Sequence, residues 1–263
     1  MKRILFATDY SENTVSGLKY ACNLSEKLNA SLFVIYVSKK KSDKSHEVEL
    51  ENFCREHYDL DLDKLDISFE VIESNSIEKG ITNKAKELNA DVIITGSKSE
   101  KLIKELLLGS TIKHLIDKAP CPVLMVPKKA KVREIKTFVY ASDFEESDIK
   151  AIDKLLKLVK PFNAMLKIVH FSKDENIEEE KMEWFKELLR EKISYDKIET
   201  DVLISDNIFN NLRYYLGKNK ADIAVMLERK PRKLVKKLFH ADLVKKMGTL
   251  SNFPLMSFNE TNL

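Results

Sequence analysis

Residues 4–12 read ILFATDYSE, and residues 138–146 read FVYASDFEE. Each is an apolar run that ends in an aspartate and a polar turn. Asp9 matches Asp143 at a shift of 134, which also aligns Asn29-Ala30 with Asn163-Ala164 and VIYVS (34–38) with IVHFS (168–172). ADVII (90–94) matches ADIAV (221–225) at a shift of 131. A self-match sustained over this length implies two related domains of roughly 130 residues each, each able to bury its own core. The charged stretch VPKKAKVREIK (126–136), poor in apolar residues, places the linker at 128–135, between domains 1–127 and 136–263.

Working outward from the repeated strand, short β-rich runs alternate with helical patterns. In the first half the runs are 3–8, 31–37, 67–72, 91–95 and 122–126. They are continuous, apolar and rich in Val and Ile, as parallel strands buried on both faces must be. Residues 12–29 carry Val15, Leu18, Ala21, Cys22, Leu24 and Leu28 at helical spacing, with Ser11 as the expected cap and Asn29-Ala30 as the exit. Residues 74–89 form a second helix with Ile77, Ile81, Ala85 and Leu88 on one face. The second half gives strands at 137–142, 165–171, 197–204, 222–227 and 254–258, and helices at 145–161, 175–193, 207–219 and 239–250. Segments 38–66 and 172–197 are charged, and each is expected to hold a solvated helix. The pattern implies an α/β fold of two tandem doubly wound domains, each a five-stranded parallel sheet with helices on both faces.

Composition excludes several classes. With 45 basic and 42 acidic residues the net charge is +3, too balanced to indicate nucleic acid. No apolar run reaches the ~18 residues of a membrane span, and MKRILFATDY runs straight into a strand, so a cytoplasmic location is expected. Cys22, Cys54 and Cys121 include no C-x-x-C pair and read as buried thiols. Cys54 and His57 have ligand-like spacing but no second pair, so no metal is expected. There is no G-x4-G-K-[ST], no G-x-G-x-x-G and no G-x-S-x-G, and no catalytic residue is assigned.

In open parallel sheets, ligands bind beyond the carboxyl ends of strands where the strand order reverses. Here that point falls between the first and fourth strands, whose exits begin at Asp9 and Gly96. Gly96-Ser97-Lys98-Ser99 leaves the fourth strand, and Gly109-Ser110-Thr111 opens the next helix. Glycine permits positive φ and close approach to a phosphate, while Ser110 and Thr111 add hydroxyl and N–H donors at a helix N-terminus. A plain turn with a capped helix start fits the same residues. Asp9 reads equally as a ligand acceptor or as a cap on the first helix.

Ala7-Thr8-Asp9-Tyr10-Ser11, the spacing Gly96-x2-Ser99-x9-Gly109-Ser110 and the final CPVLMVP (121–127) together resemble the universal stress protein family. The chain resembles a tandem two-domain member, closely over 1–127 and more weakly over 136–258. The resemblance implies an adenine nucleotide alpha hydrolase-like fold and a cytoplasmic, regulatory stress-response protein. It implies ATP or AMP binding through Thr8, Asp9, Val37, Gly96, Lys98, Ser99, Gly109, Ser110 and Thr111, with Mg2+ only alongside ATP. Ser99 replaces the family's second glycine and Ala7 its proline. The alternatives are a nucleotide-independent interaction protein and a slow ATPase or phosphotransfer activity. Members pair through their last strands, so an internal pseudo-dimer is expected, with a homodimer as the further assembly.

The second half lacks the loop. Leu227 stands in the place of Gly96, and Ala241-Asp242 in that of Gly109-Ser110. An aspartate at a helix start repels phosphate. The segment 229–237 gathers Arg229, Lys230, Arg232, Lys233, Lys236 and Lys237 and reads as a solvated basic loop or a patch for an acidic protein partner. Without interleaved aromatics it is a poor nucleic-acid surface.

Overall fold

The computed structural model describes residues 2–39, 44–58, 62–97, 110–172, 175–229, 243–244, 246–247 and 252–263. The chain parts into two units, with the division between Arg133 and Glu134. Unit 1 runs β1 (Arg3–Thr8), α1 (Glu12–Leu28), β2 (Ser31–Ser38), α2 (Lys44–His57), β3 (Ile67–Glu73), α3 (Ile77–Glu87), β4 (Val92–Ser97), α4 (Ser110–Lys118) and β5 (Val123–Pro127). Its strands are all parallel, in the order β3-β2-β1-β4-β5. The central strand β1 buries Ile4, Leu5 and Phe6 completely, as do Val92, Ile93 and Ile94 beside it. Right-handed crossovers put α1 and α2 on one face and, after the chain jumps back from β3 to β4, α3 and α4 on the other.

Unit 2 repeats the plan with β6 (Thr137–Ala141), α5 (Glu146–Val159), β7 (Met165–Ser172), α6 (Glu175–Lys192), β8 (Ile198–Ile204), α7 (Ile208–Lys218), β9 (Ile223–Glu228) and β10 (Leu255–Asn259). The order is β8-β7-β6-β9-β10, again parallel throughout. The repeat extends to backbone detail. Positive φ occurs at Tyr10 (60°) and Phe144 (55°), at Asn29 (48°) and Asn163 (51°), and at Asn89 (48°) and Lys220 (50°). Each pair is related by one of the two sequence shifts. Asparagine tolerates this region, whereas the aromatic and lysine residues each cost about 1 kcal/mol or more there.

Two local expectations need correction. Ser11 occupies the N-cap of α1 but makes no side-chain cap. Its hydroxyl donates instead to Asp9 Oδ1 at 2.5 Å. Helix α3 begins only at Ile77, because Ser76 caps it by accepting from the Lys79 amide at 3.2 Å. Ile77, at its first position, is therefore 37% exposed, while Ile81 and Ala85 are buried. Helix α2 buries a stripe of Leu50, Phe53 and Cys54, and α6 buries Phe185 and Leu189 of the apolar face that its sequence carries at Met182, Phe185, Leu188 and Leu189. The expected helix 239–250 lies mostly outside the described residues. After β5 the chain packs back on α1, with Ser16 Oγ donating to the Lys128 carbonyl (2.6 Å) and Tyr20 Oη to that of Lys131 (3.3 Å). Among the described residues no helix is long and apolar enough to cross a membrane.

Candidate functional site

The strand order places the reversal of unit 1 between β1 and β4, where Ala7 lies opposite Thr95. Asp9 and Gly96 lie just beyond this last pair. Gly96 is in tight contact with the start of α1: a Cβ built on it would fall 2.3 Å from the Asn13 carbonyl oxygen and 2.8 Å from Thr14 Cα. Gly17, one turn further along α1, faces the Gly96 amide, which would lie 3.3 Å from a Cβ built there. No described glycine has positive φ, so Gly96 serves close approach and not a left-handed turn. The partner brought close is α1, which accounts for the glycine without any ligand.

Asp9 is exposed, and its Oδ1 accepts from the Ser11 amide (3.1 Å) and hydroxyl (2.5 Å). Its other oxygen makes no hydrogen bond among the described residues. The Thr8 hydroxyl is used internally: it pairs with Thr14 Oγ1 at 2.8 Å and accepts from the Tyr10 amide at 3.0 Å. Along β2, Ser31 N–H donates to Lys2, on the β1 side, and Leu32 N–H to Asp66, on the β3 side. Strand alternation then turns the Val37 amide and carbonyl toward β1. The Thr8–Tyr36 rung that ends the β1 ladder uses the Val37 amide, so the Val37 carbonyl is the group that lies past it. The Val37 side chain is buried against Gly80 of α3. Ser110 begins α4 and Thr111, half-buried, is in its first turn. Lys98, Ser99 and Gly109 lie outside the described residues.

Beside Asp9, the Tyr10 ring lies 4.6 Å from that of Tyr36 and edge-on to Phe53 at 5.6 Å. Its hydroxyl is buried and has no hydrogen-bond partner among the described residues. Burial, with Tyr36, Glu49 and Cys54 nearby, pushes its pKa up to about 12. Cys22 and Cys54 are buried as expected, while Cys121 is only partly covered. Burial pushes the Cys54 thiol up to about 12, far from a reactive thiolate. His57 rests edge-on to Phe53. Among the described residues no group of three or more His, Cys, Asp or Glu is placed to hold a metal. A cleft of about 560 Å³ lies between the end of α6 and the start of β8, lined by Leu189, Arg190, Ile193 and Tyr195. It sits at the amino end of its strand, away from the carboxyl-end crevice where this fold binds ligands.

The matching crevice of unit 2 is built differently. Arg229, expected in a solvated basic segment, is buried, its side chain only 6% exposed. The guanidinium lies 3.3 Å from Asp143, 2.6 Å from Glu145 and 2.5 Å from Asp148, and donates to Ser147 Oγ at 2.9 Å. Burial alone would lower its pKa, but Asp148, Asp143 and Glu145 outweigh it and raise the pKa above the ordinary value. Asp148 is fully buried and also accepts from Tyr140 Oη (2.8 Å), Ser142 Oγ (2.8 Å) and the amides of Asp143 and Glu145 (both 3.1 Å). Phe144 stacks on His170 at 4.6 Å, and the His170 Nδ1 lies 2.7 Å from the Ser142 carbonyl, which requires the proton on Nδ1. Residues 230–242, the rest of the basic segment, lie outside the described residues. Sequence reasoning missed the Arg229 cluster, although the acids at 143, 145 and 148 stood in view.

A family model described as "Universal stress protein family" matches residues 1–127. Universal stress protein MJ0531 of Methanocaldococcus jannaschii is 27% identical over 145 residues, covering 49% of this chain and 84% of its own length. Universal stress protein MJ0577 of the same organism is 26% identical over 157 residues, covering 49% and 96%. Among solved structures, a universal stress protein from Archaeoglobus fulgidus superposes with a TM-score of 0.71 at 17% identity over 98% of both chains. The functionally unknown protein PA1789 of Pseudomonas aeruginosa gives 0.69 at 16% identity, over 98% of this chain and 92% of its own. These whole-length likenesses establish the α/β fold, and the family match covers the first half: residues 1–127 are a domain of the universal stress protein family.

Proposed function

We propose that unit 1 binds an adenine nucleotide, ATP or AMP, and that the chain acts through this binding as a cytoplasmic regulatory protein without turnover of its own. The observation that carries the reading is the presence, at the strand-order reversal, of an exposed Asp9 oxygen and of the Val37 carbonyl beyond the end of the β1 ladder. A carboxylate suits the hydroxyl donors of an adenosine, and a strand-end carbonyl suits the amino group of an adenine edge. The N-terminus of α4, with Ser110 and Thr111, suits the phosphates, with no acidic residue in its first turn. Gly96, Lys98, Ser99 and Gly109 complete the proposed phosphate side, and Mg2+ would accompany ATP alone. Thr8 contributes by fixing the turn with its hydroxyl. In this reading domain 1–127 binds the ligand and domain 136–263 faces protein partners.

Titration calorimetry with ATP, ADP and AMP tests the proposal on the intact chain. Saturable binding is expected, weakened about 10-fold or more in Asp9→Ala by the loss of a charge-assisted hydrogen bond. Gly109→Asp is expected to abolish it by setting a negative charge against the phosphates. No saturable binding up to millimolar nucleotide would sink the reading. It would favour the nucleotide-independent one, to which the packing role of Gly96 already lends weight.

A further inference from the structure

The two crevices share a backbone plan and differ in charge at matching positions. At the shift of 134, Thr8, Asp9, Ser11 and Thr14 of unit 1 correspond to Ser142, Asp143, Glu145 and Asp148 of unit 2. One carboxylate is replaced by three. At the shift of 131, Lys98, on the proposed phosphate side, corresponds to Arg229. The backbone that carries the acids is matched as well, since Tyr10 and Phe144 hold the same left-handed conformation. Where Thr8 and Thr14 join through a single hydroxyl contact, Ser142 and Asp148 join and then receive a guanidinium.

We propose that Arg229 is a built-in occupant of the unit 2 crevice, so that the chain closes this site against nucleotide with its own guanidinium. The proposal rests on the reading that unit 1 takes the nucleotide. Two observations support it. The Arg229 side chain is turned inward, 6% exposed, although the residues that follow it in sequence are strongly basic and would favour solvent. Its planar fork is also matched at both ends, Nη1 donating to Glu145 and Ser147 and Nη2 to Asp148, while Nε lies 3.3 Å from Asp143 as an ion pair. A lysine ammonium could not span these acceptors. The recess therefore selects a guanidinium, and Arg229 fills it. Arg229 also ties the exit of β9 to the turn before α5, which fixes the root of the basic segment.

Chemical rescue of the intact protein tests this. Arg229→Ala leaves three carboxylates around an unfilled recess, and the melting temperature is expected to fall by about 10 °C, the scale of breaking a buried ion pair in a unit of this size. Methylguanidine at about 10 mM is expected to recover a large part of that fall saturably, as a ligand binding only the folded state does. Sodium chloride at matched ionic strength and urea at matched concentration are expected to recover little, and wild type is expected to gain nothing. Should Arg229→Ala not fold, Arg229→Lys serves: it keeps the charge, loses the fork and is expected to be raised by methylguanidine in the same selective way. Equal effects of methylguanidine and sodium, or no recovery in the variant that folds, overturn the proposal. Nucleotide plays no part in this readout, so failure here is separate from failure of binding in unit 1. If unit 1 binds and Arg229 closes unit 2, the nucleotide stoichiometry is one per chain; two per chain overturns the closure.

Discussion

Replacing Gly96 with alanine separates the two roles that this residue could have. At a backbone position without positive φ, Gly→Ala ordinarily stabilises by about 0.4–1 kcal/mol, because the unfolded chain loses freedom. Gly96 is such a position, yet the added Cβ would lie 2.3 Å from the Asn13 carbonyl oxygen, 0.7 Å inside the 3.0 Å limit of real contacts. The other near atoms, Asn13 C and Thr14 Cα at 2.8 Å, are also backbone, so no side-chain rotation relieves the clash. The first turn of α1 must move away from β4. Overpacking of this kind costs 1–3 kcal/mol, and a backbone obstacle puts the cost near the upper end, leaving a net loss of about 2 kcal/mol. Gly217 in α7 is the internal control, since a Cβ there meets nothing within 4 Å. Gly217→Ala is expected to gain about 0.5–1 kcal/mol. Urea unfolding of the ligand-free protein, followed by circular dichroism, reads both as shifts in midpoint of opposite sign. If Gly96→Ala is as stable as wild type, or gains like Gly217→Ala, α1 does not rest on the end of β4 and the packing argument fails.

Two further perturbations follow from buried hydroxyls and charges. Tyr10→Phe removes a buried hydroxyl without a described partner, and Phe144 holds the same conformation in unit 2 without one. A gain of about 1 kcal/mol in urea unfolding is expected, and a loss would mean that the hydroxyl is satisfied in solution. Alkaline pH should destabilise the protein. Tyr10 is raised from 10.0 to about 12 by burial, and Tyr140 well above 10.0 by burial and Asp148. Lys84 is lowered by burial but raised overall by Glu70 and Glu87. All three bind their proton more tightly when folded, so their contribution is complete below pH 10 and lost as pH rises above it. Melting temperatures taken from pH 8 to 11 should fall progressively beyond pH 10; a flat or rising profile contradicts these environments.

Most of the fold was legible because parallel strands covered on both faces must be continuous apolar runs, and β1, β4 and β5 are such runs. The order expected of a five-stranded unit put the reversal of the first half between its first and fourth strands, which are paired as β1 and β4 with Asp9 and Gly96 at their exits. Contacts that join distant segments were not legible. Arg229 sits among lysines and arginines, and composition assigned it to solvent; its acidic partners lie 81 to 84 residues earlier at Asp148 and Glu145. Gly96 was read for its tolerance of positive φ and approach to a phosphate, when the atoms that exclude a side chain belong to α1. Ser11 carried the composition of a cap, but Asp9, two residues away, takes its hydroxyl first. For Arg229 and Gly96 a partner from a distant segment gave the residue a role that local chemistry did not indicate.

The most direct measurement of the central claim is the number of adenine nucleotides bound per chain, by equilibrium dialysis of the intact protein with ATP and with AMP. The account expects a single saturable site, lost in Gly109→Asp and retained in Arg229→Lys. No saturable site, or a site that survives Gly109→Asp, would contradict it.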